Sequence, residues 1–188
     1  MKIHRISLAI IIGCCAAQAQ APSTIGPSSL RSNLVAELRS VHNQPEWFFP
    51  LKASVTGLTP EQAAWVPLNS DGKTNASANH SVGMIATHIL FWDTDALEQL
   101  RGHRTKGTAT NDETFDTFSS ANWDKTVRDL DSVFTALEEL AERADDSSVV
   151  AMAPMIEHIC THTAYHTGQI FYVRKLQGTW KLDNDVKK

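Results

Sequence analysis

Cysteine is scarce in this chain of 188 residues, which contains three. Cys14 and Cys15 fall in the apolar start of the sequence, so Cys160 stands alone in the remainder. A single cysteine forms no internal disulfide, which excludes the usual stabiliser of small exported domains. Helical phase places Cys160 more than about 100° from His162, and we interpret it as a buried, inert thiol.

Long apolar runs are absent as well, since no segment reaches the roughly 20 residues that span a bilayer as a helix. The run from Ile6 to Ile12 follows a short basic region and precedes Ala17-Gln18-Ala19. This order is typical of a secretory signal peptide, which we predict over residues 1–19. The alternative is a lipoprotein signal with the lipid on Cys14. Either reading predicts export, to the periplasm or beyond, with no transmembrane span after processing.

Positive charge is in deficit, with 17 Lys and Arg residues against 21 Asp and Glu residues. The predicted leader contains Lys2 and Arg5 and no acid, so its removal leaves 15 basic residues against 21 acidic ones. Because nucleic acid favours clustered positive charge, we expect no nucleic-acid partner. Hydrophobic residues make up 42% of the chain, which predicts one domain with a good core.

The period-2 alternation typical of strands is missing, and four segments follow a helical period instead. The first begins near Ser28 or Ser29, and the second runs from Ser81 to Gly102. The third repeats apolar residues from Trp123 to Ala141, and the fourth starts close to Pro154 and ends before Gly178. Two long polar connections, 69–79 and 102–120, separate them. The sequence predicts an all-α four-helix bundle over 28–178, after a tether at 20–27 and before a tail at 179–188.

The sequence does not settle where the first of these helices ends. Pro45 and Pro50 interrupt or kink it, and the sequence leaves open whether it resumes as far as Val55. After Gly57, Thr59 is the predicted N-cap of a new helix.

His162 and His166 are spaced i, i+4 on the core-facing side of the last helix. Two imidazoles one turn apart can grip one metal ion, whereas each alone would bury a polar nitrogen that needs a partner. A third ligand must come from another helix, because three histidines along one straight helix cannot converge at about 2 Å from one ion. His88 is the best candidate, since it shares an apolar face with Trp92. His42, on the first helix, is the reserve ligand.

The remaining histidines are predicted to be solvated or capping residues. These are His4, His80, His103 and His158.

Three stretches of sequence resemble the DinB-like superfamily of metal-binding four-helix bundles. They are THILFW in the second helix, HTAYHTGQI followed by a basic residue and Gly in the last, and GLTPEQAAWVP at 57–67. The resemblance covers about Ser28 to Gly178 and implies that His88, His162 and His166 are the metal triad. It implies no DNA chemistry. The position after the last histidine, often Arg in that family, is Thr167 here, which puts in doubt any role of that cation in holding a substrate anion.

A triad of histidines leaves positions open for water or substrate, as catalytic rather than closed structural sites do. Imidazole suits Zn, Ni, Cu and Fe, and among these we favour Zn on availability, with Ni, Fe or Mn as alternatives. Gln169, one turn beyond His166, is predicted to orient a ring or a bound water, and Trp92 to wall the pocket. The candidate proton carriers are Glu157, Asp95 and Tyr165.

Two classes of function follow from the predicted site. The first is a metal-dependent enzyme acting on a small molecule, either a thiol-S-transferase-like or a hydrolase-like protein by resemblance. The predicted leader weakens the thiol route, because the thiol cosubstrates are mainly cytoplasmic. The second is a non-catalytic metal-binding or stress-related envelope protein. A homodimer is compatible with either class.

Overall fold

The computed structural model describes residues 27–74, 79–103, 105 and 110–180. The predicted leader, residues 20–26 of the tether and residues 181–188 of the tail lie outside this range. The described part contains six α-helices and no strand; the helices are α1 (Pro27–His42), α2 (Leu51–Val55), α3 (Pro60–Ala64), α4 (Val82–Leu100), α5 (Trp123–Arg143) and α6 (Asp146–Gln177). Short 3-10 turns lie at Asp112–Thr114 and Ser120–Asn122.

The four long helices form the bundle that the sequence predicts, which confirms the all-α fold. Helix α1 packs against α5 and α6, and α4 packs against the same two helices. Each helix contributes fully buried apolar side chains to one core, among them Leu38, Ile89, Phe134, Leu137 and Ile170. In α5 these side chains follow the 4-3-4-3-4 spacing of the sequence, because that spacing keeps them on one face of a helix.

The chain between α1 and α4 contains two short helices. Helix α1 ends at His42, and the prolines at 45 and 50 separate it from α2. Thr59 caps α3 as predicted, accepting a hydrogen bond from the backbone N–H of Gln62, whose side chain accepts one from the backbone N–H of Thr59. This reciprocal capping box fixes the turn that leads towards α4.

The last helix begins eight residues earlier than the sequence predicts, so the predicted start near Pro154 is wrong. Asp145 is the N-cap, accepting a hydrogen bond from the backbone N–H of Ser148 at 2.8 Å. Pro154 lies inside α6, where it removes one backbone donor. The fold accommodates this loss because the turns before Pro154 have their own cap and bury Val149 in the core.

Helix α4 begins as predicted after Ser81, whose hydroxyl accepts a hydrogen bond from the backbone N–H of Met84. Helix α6 ends at Gly178, which has a φ of +76° and therefore adopts the left-handed conformation that glycine tolerates best. None of the helices in the described ranges is long and apolar enough to cross a membrane.

Arg174 ties the end of α6 to the short helix α2. Its side chain is buried, and its Nη1 donates hydrogen bonds to the backbone carbonyls of Ala53, Ser54 and Thr56. The guanidinium carbon lies 5.0 Å from the centre of the Trp180 ring, a cation–π distance. Arg174 thus satisfies carbonyls at the end of α2 that the helix itself leaves without donors.

We expect Arg174→Met to lower the free energy of unfolding by about 2–4 kcal/mol, because it leaves three backbone carbonyls, that of the buried Ser54 among them, without their charged donor. Urea denaturation measures the change. Lys175→Met, at the exposed neighbouring position, is the control and should change stability by less than about 0.5 kcal/mol. Equal stability of Arg174→Met and the unmodified protein would contradict the role given to Arg174.

Candidate metal centre

Three histidines from two helices meet in the core. His88 comes from the middle of α4, and His162 and His166 lie one turn apart on α6, which packs against α4. One nitrogen from each ring lies within 4.8 Å of the other two. The Nε2 atoms of His88 and His162 are 3.1 Å apart, close to the roughly 3.3 Å expected of two nitrogens on one tetrahedral zinc ion. The three side chains are close enough to hold one metal ion.

Burial keeps these rings uncharged. His88 is 1% exposed and His166 7% exposed, while His162 is half-buried. Burial, followed by repulsion from the neighbouring histidines, lowers the pKa of His88 to about 3 and that of His162 to about 4. Burial also lowers the pKa of His166, against the opposing effect of its bond to Gln169. At neutral pH all three are neutral imidazoles, the form that binds metals.

Thr114 determines which nitrogen of His88 carries the proton. The Thr114 hydroxyl donates to the backbone carbonyl of Asn111, so its oxygen accepts from the Nδ1–H of His88 at 2.6 Å. A neutral imidazole has one N–H. The Nε2 of His88, which faces His162, therefore presents a lone pair towards the cluster.

Gln169 has the same effect on His166. Its Oε1 lies 2.7 Å from Nδ1 of His166, and an amide oxygen only accepts, so Nδ1 carries the proton and Nε2 has the lone pair. Holding a ligand histidine by its second nitrogen is how metal sites fix ring orientation and raise ligand basicity. Two of the three rings are thus prepared as nitrogen ligands, which is the chemistry a divalent ion requires.

The connection between α4 and α5 contributes a wall that sequence reasoning missed. The ring of Phe115 stacks on His88 at 3.9 Å between centres, and the ring of His80 stacks on Phe115 at the same distance. The near-parallel rings place His80 and His88 on opposite faces of Phe115. Thr114 and Phe115 lie in the segment predicted to be a polar loop, where the signal available was two phenylalanines, Phe115 and Phe118, among polar residues. His80, predicted to be capping or solvated, is half-buried.

The reserve ligand His42 does not join the cluster. Its Nδ1 lies 2.7 Å from Oε1 of Glu138 and its Nε2 lies 3.0 Å from Oδ1 of Asp131, both on α5. Its ring stacks on Phe134. With a carboxylate oxygen at each nitrogen, His42 is a buried link between α1 and α5. It does not serve as a ligand of the three-histidine cluster.

The other candidates occupy more peripheral positions. Trp92 meets His88 edge to face, with 6.4 Å between ring centres, and Tyr165 contacts His166 while remaining 65% exposed. Glu157 and His158 are exposed on α6, and His103 is exposed beside Glu98. Cys160 is buried as expected, and burial raises the pKa of its thiol to about 12, which favours the uncharged form.

The bundle and the three histidines together define a helical fold that encloses a set of nitrogen ligands. A family model described as the DinB superfamily matches residues 51–170, which is more than half of the chain and includes all three histidines. The chain therefore belongs to the DinB superfamily, whose DinB-like members are metal-binding. No curated protein and no solved structure matches it.

We expect Thr114→Val to weaken metal binding by about 10–100-fold, the usual cost of removing a partner that orients a ligand histidine. Valine keeps the shape of threonine but cannot accept the proton of His88. Competition against a chelating dye measures the affinity. Thr117→Val is the control, because it removes a hydroxyl that donates to the carbonyl of Thr114 without touching a histidine. Unchanged affinity in Thr114→Val would show that the bond does not orient His88.

Proposed function

We propose that this chain is a metal-dependent enzyme that acts on a small molecule and binds one divalent metal ion through His88, His162 and His166. The observation that carries the proposal is the pair of ring orientations set by Thr114 and Gln169, which aim the lone pairs of His88 and His166 inward. Zn is the favoured ion, with Ni, Fe or Mn as alternatives.

Three protein ligands leave a position open for a reactant, which favours catalysis over storage. When bound, such an ion supplies a Lewis-acid centre that favours the deprotonated form of a water or thiol at the open position. The chain contributes the rest. Thr114 and Gln169 hold the rings, Phe115 covers one face of His88, and Trp92 forms a wall beside it. The reaction we propose is therefore a transfer of a thiol to an electrophile or a hydrolysis.

Elemental analysis of the purified protein tests the metal, and activity screening tests the enzyme. We expect about one divalent ion per chain. The metal-loaded and metal-free forms would then be compared on thiol–electrophile pairs and on esters, and turnover should require the metal. A stoichiometric ion without turnover in either screen would favour the second class, a metal-binding protein without catalysis.

We also propose that the protein is exported, with residues 1–19 as the signal peptide. The support is the order of basic region, apolar run and Ala17-Gln18-Ala19 in the sequence. Mass spectrometry of the protein from its native host should find an N-terminus near residue 20. A lipid on Cys14 would select the lipoprotein alternative, and an intact Met1 on the mature protein would refute export by a cleaved signal.

A further inference from the structure

Gly83 lies in the first turn of α4, at a position where the backbone does not require glycine. The described glycines with a positive φ are Gly57, Gly72, Gly102 and Gly178, and Gly83 has the ordinary backbone of a helix. A glycine within a helix is less favourable than alanine by about 0.5–1 kcal/mol, because it loses more conformational freedom on folding. Glycine at this position therefore indicates a need for space.

The ring of Phe118 occupies the space that a side chain at position 83 would need. A methyl group placed on Gly83 would overlap this ring, since even Cδ2, the third nearest of its atoms, would lie 2.6 Å away. Ordinary contacts between carbon atoms are about 3.5–4.0 Å long. Gly168 on α6 is different, because a methyl group there would meet no described atom within 4 Å beyond the backbone of its own helix. Phe118 thus packs directly on the backbone of α4.

The start of α5 holds Phe118 from another side. Phe118 is half-buried against the core, and its ring meets that of Trp123 edge to face, with 6.3 Å between the ring centres. Trp123 is itself 1% exposed, and its Nε1 donates a hydrogen bond to the backbone carbonyl of Leu58. The Phe118 ring therefore contacts both a glycine of α4 and a fixed indole of α5, which fixes this part of the connection between the two helices.

The same part of the connection holds His88. Thr114 is fully buried, and its hydroxyl oxygen accepts the 2.6 Å hydrogen bond from Nδ1 of His88. Phe118 follows Thr114 by four positions in the chain, so a displacement of Phe118 reaches Thr114 through a short covalent path. Hydrogen bonds weaken steeply when their distance or angle departs from the preferred values. The bond to His88 thus depends on where Phe118 packs.

We propose that Gly83 is a positioning residue for the metal centre, acting on His88 through Phe118 and Thr114. The contact between Gly83 and the Phe118 ring keeps the connection against α4. Thr114 then stays within hydrogen-bonding distance of His88, and the Nε2 lone pair of His88 stays directed towards the cluster. Gly83 has no side chain with which to bind an ion, so its effect on the site is indirect. This inference rests on the proposed metal site and adds a residue that fixes one of its ligands from a distance.

Gly83→Ala tests the proposal, with Gly168→Ala as the matched control. Both variants add one methyl group to a glycine within a helix, but only Gly83→Ala displaces Phe118. Titration with Co²⁺ in competition with a chelating dye measures metal affinity independently of turnover. We expect Gly83→Ala to bind Co²⁺ about tenfold more weakly, the lower end of the usual cost of disturbing a partner that orients a ligand histidine. Gly168→Ala should bind within about twofold of the unmodified protein.

A double variant distinguishes positioning from a general loosening of the structure. If Gly83 acts through the bond between Thr114 and His88, that bond can be lost only once. Adding Gly83→Ala to Thr114→Val should therefore weaken Co²⁺ binding by less than about twofold further, whereas two independent losses would multiply. Phe118→Ala removes the same contact without adding a methyl group and should match Gly83→Ala. Circular dichroism checks that the helices persist in each variant.

The tautomer of His88 is a readout that requires no metal. In the metal-free protein at neutral pH, NMR of the histidine ring nitrogens shows which nitrogen carries the proton. The signals of His88 are assigned by their loss in His88→Gln. The unmodified protein should have the proton on Nδ1, where Thr114 accepts it, and Gly83→Ala should show both tautomers, because a neutral imidazole can carry its one proton on either nitrogen.

The outcomes separate this inference from the proposed function. If the unmodified protein binds no cobalt, the metal site is absent and both proposals are overturned. If cobalt binds, the positioning role alone is overturned by unchanged affinity in Gly83→Ala, by a further loss of about tenfold on top of Thr114→Val, or by a single Nδ1 tautomer of His88 in Gly83→Ala. A loss of affinity that is confined to Gly83→Ala and Phe118→Ala, is absent in Gly168→Ala and comes with mixed His88 tautomers supports the assignment.

Discussion

Replacing His162 and His166 together by alanine is expected to abolish stoichiometric metal binding. The change removes two of three ligands, and His88 alone, with its Nδ1 committed to Thr114, offers one nitrogen to an ion. Divalent metals held by histidines need several such nitrogens at about 2 Å. Equilibrium dialysis followed by elemental analysis gives the metal content per chain, which should fall from about one to near zero.

His103→Ala is the matched control for this experiment. His103 is exposed and lies beside Glu98 at the end of α4, away from the cluster, so its loss should leave the metal content unchanged. Circular dichroism of the double variant checks that the helices persist. One tightly bound ion per chain in a folded double variant would mean that the site lies elsewhere in the molecule.

Acidification is expected to destabilise the metal-free protein over the range in which an ordinary histidine gains its proton. In the folded state the pKa of His88 is lowered to about 3 and that of His162 to about 4, against a usual value of 6.5. The unfolded chain therefore binds more protons than the folded one below about pH 6.5. The stability that the neutral rings contribute is present above that pH and is lost as the pH falls towards 4, by up to about 1.4 kcal/mol per pH unit for each histidine.

Melting temperatures measured with a chelator at about pH 7, 6 and 5 test this loss of stability. Most carboxylates are still ionised in that range, so their protonation contributes little. Replacing His88 and His162 by glutamine should flatten the dependence, because glutamine does not titrate. The exposed His158→Gln should leave it unchanged. With metal present the fall should be steeper, since protons compete with the ion for the same nitrogens. The same pH dependence in the unmodified protein and in the double glutamine variant would rule out the buried neutral cluster.

The fold could be predicted from the sequence because the buried face of a helix requires apolar residues at a regular spacing. The apolar spacing of α5 predicted the side chains that the structure buries, including Phe134 and Leu137. The same logic placed His162 and His166 on one face. The prediction of the start of α6 was wrong, because proline is commoner in the first turn of a helix than inside it. The N-cap that the structure shows, Asp145, lies in a short polar stretch without an apolar repeat that would indicate a helix.

The surroundings of the histidines were less accessible to sequence reasoning. Helical phase indicates that a residue is buried but does not say which residue it meets. His42 therefore resembled a ligand, although Asp131 and Glu138, one heptad apart on α5, take both of its nitrogens. Thr114 and Phe115 come from a connection without periodicity, so their contact with His88 arises from tertiary packing alone.

The spacing of the three histidines along the chain bears on how the protein folds. His162 and His166 are neighbours on one helical turn, whereas His88 lies 74 residues from His162 and meets them only when α4 packs against α6. An ion that bridges His162 and His166 in the unfolded chain fixes one turn of helix and offsets part of the cost of nucleating it. We therefore expect the ion to be captured by α6 first, with His88 closing the site as a late event in folding.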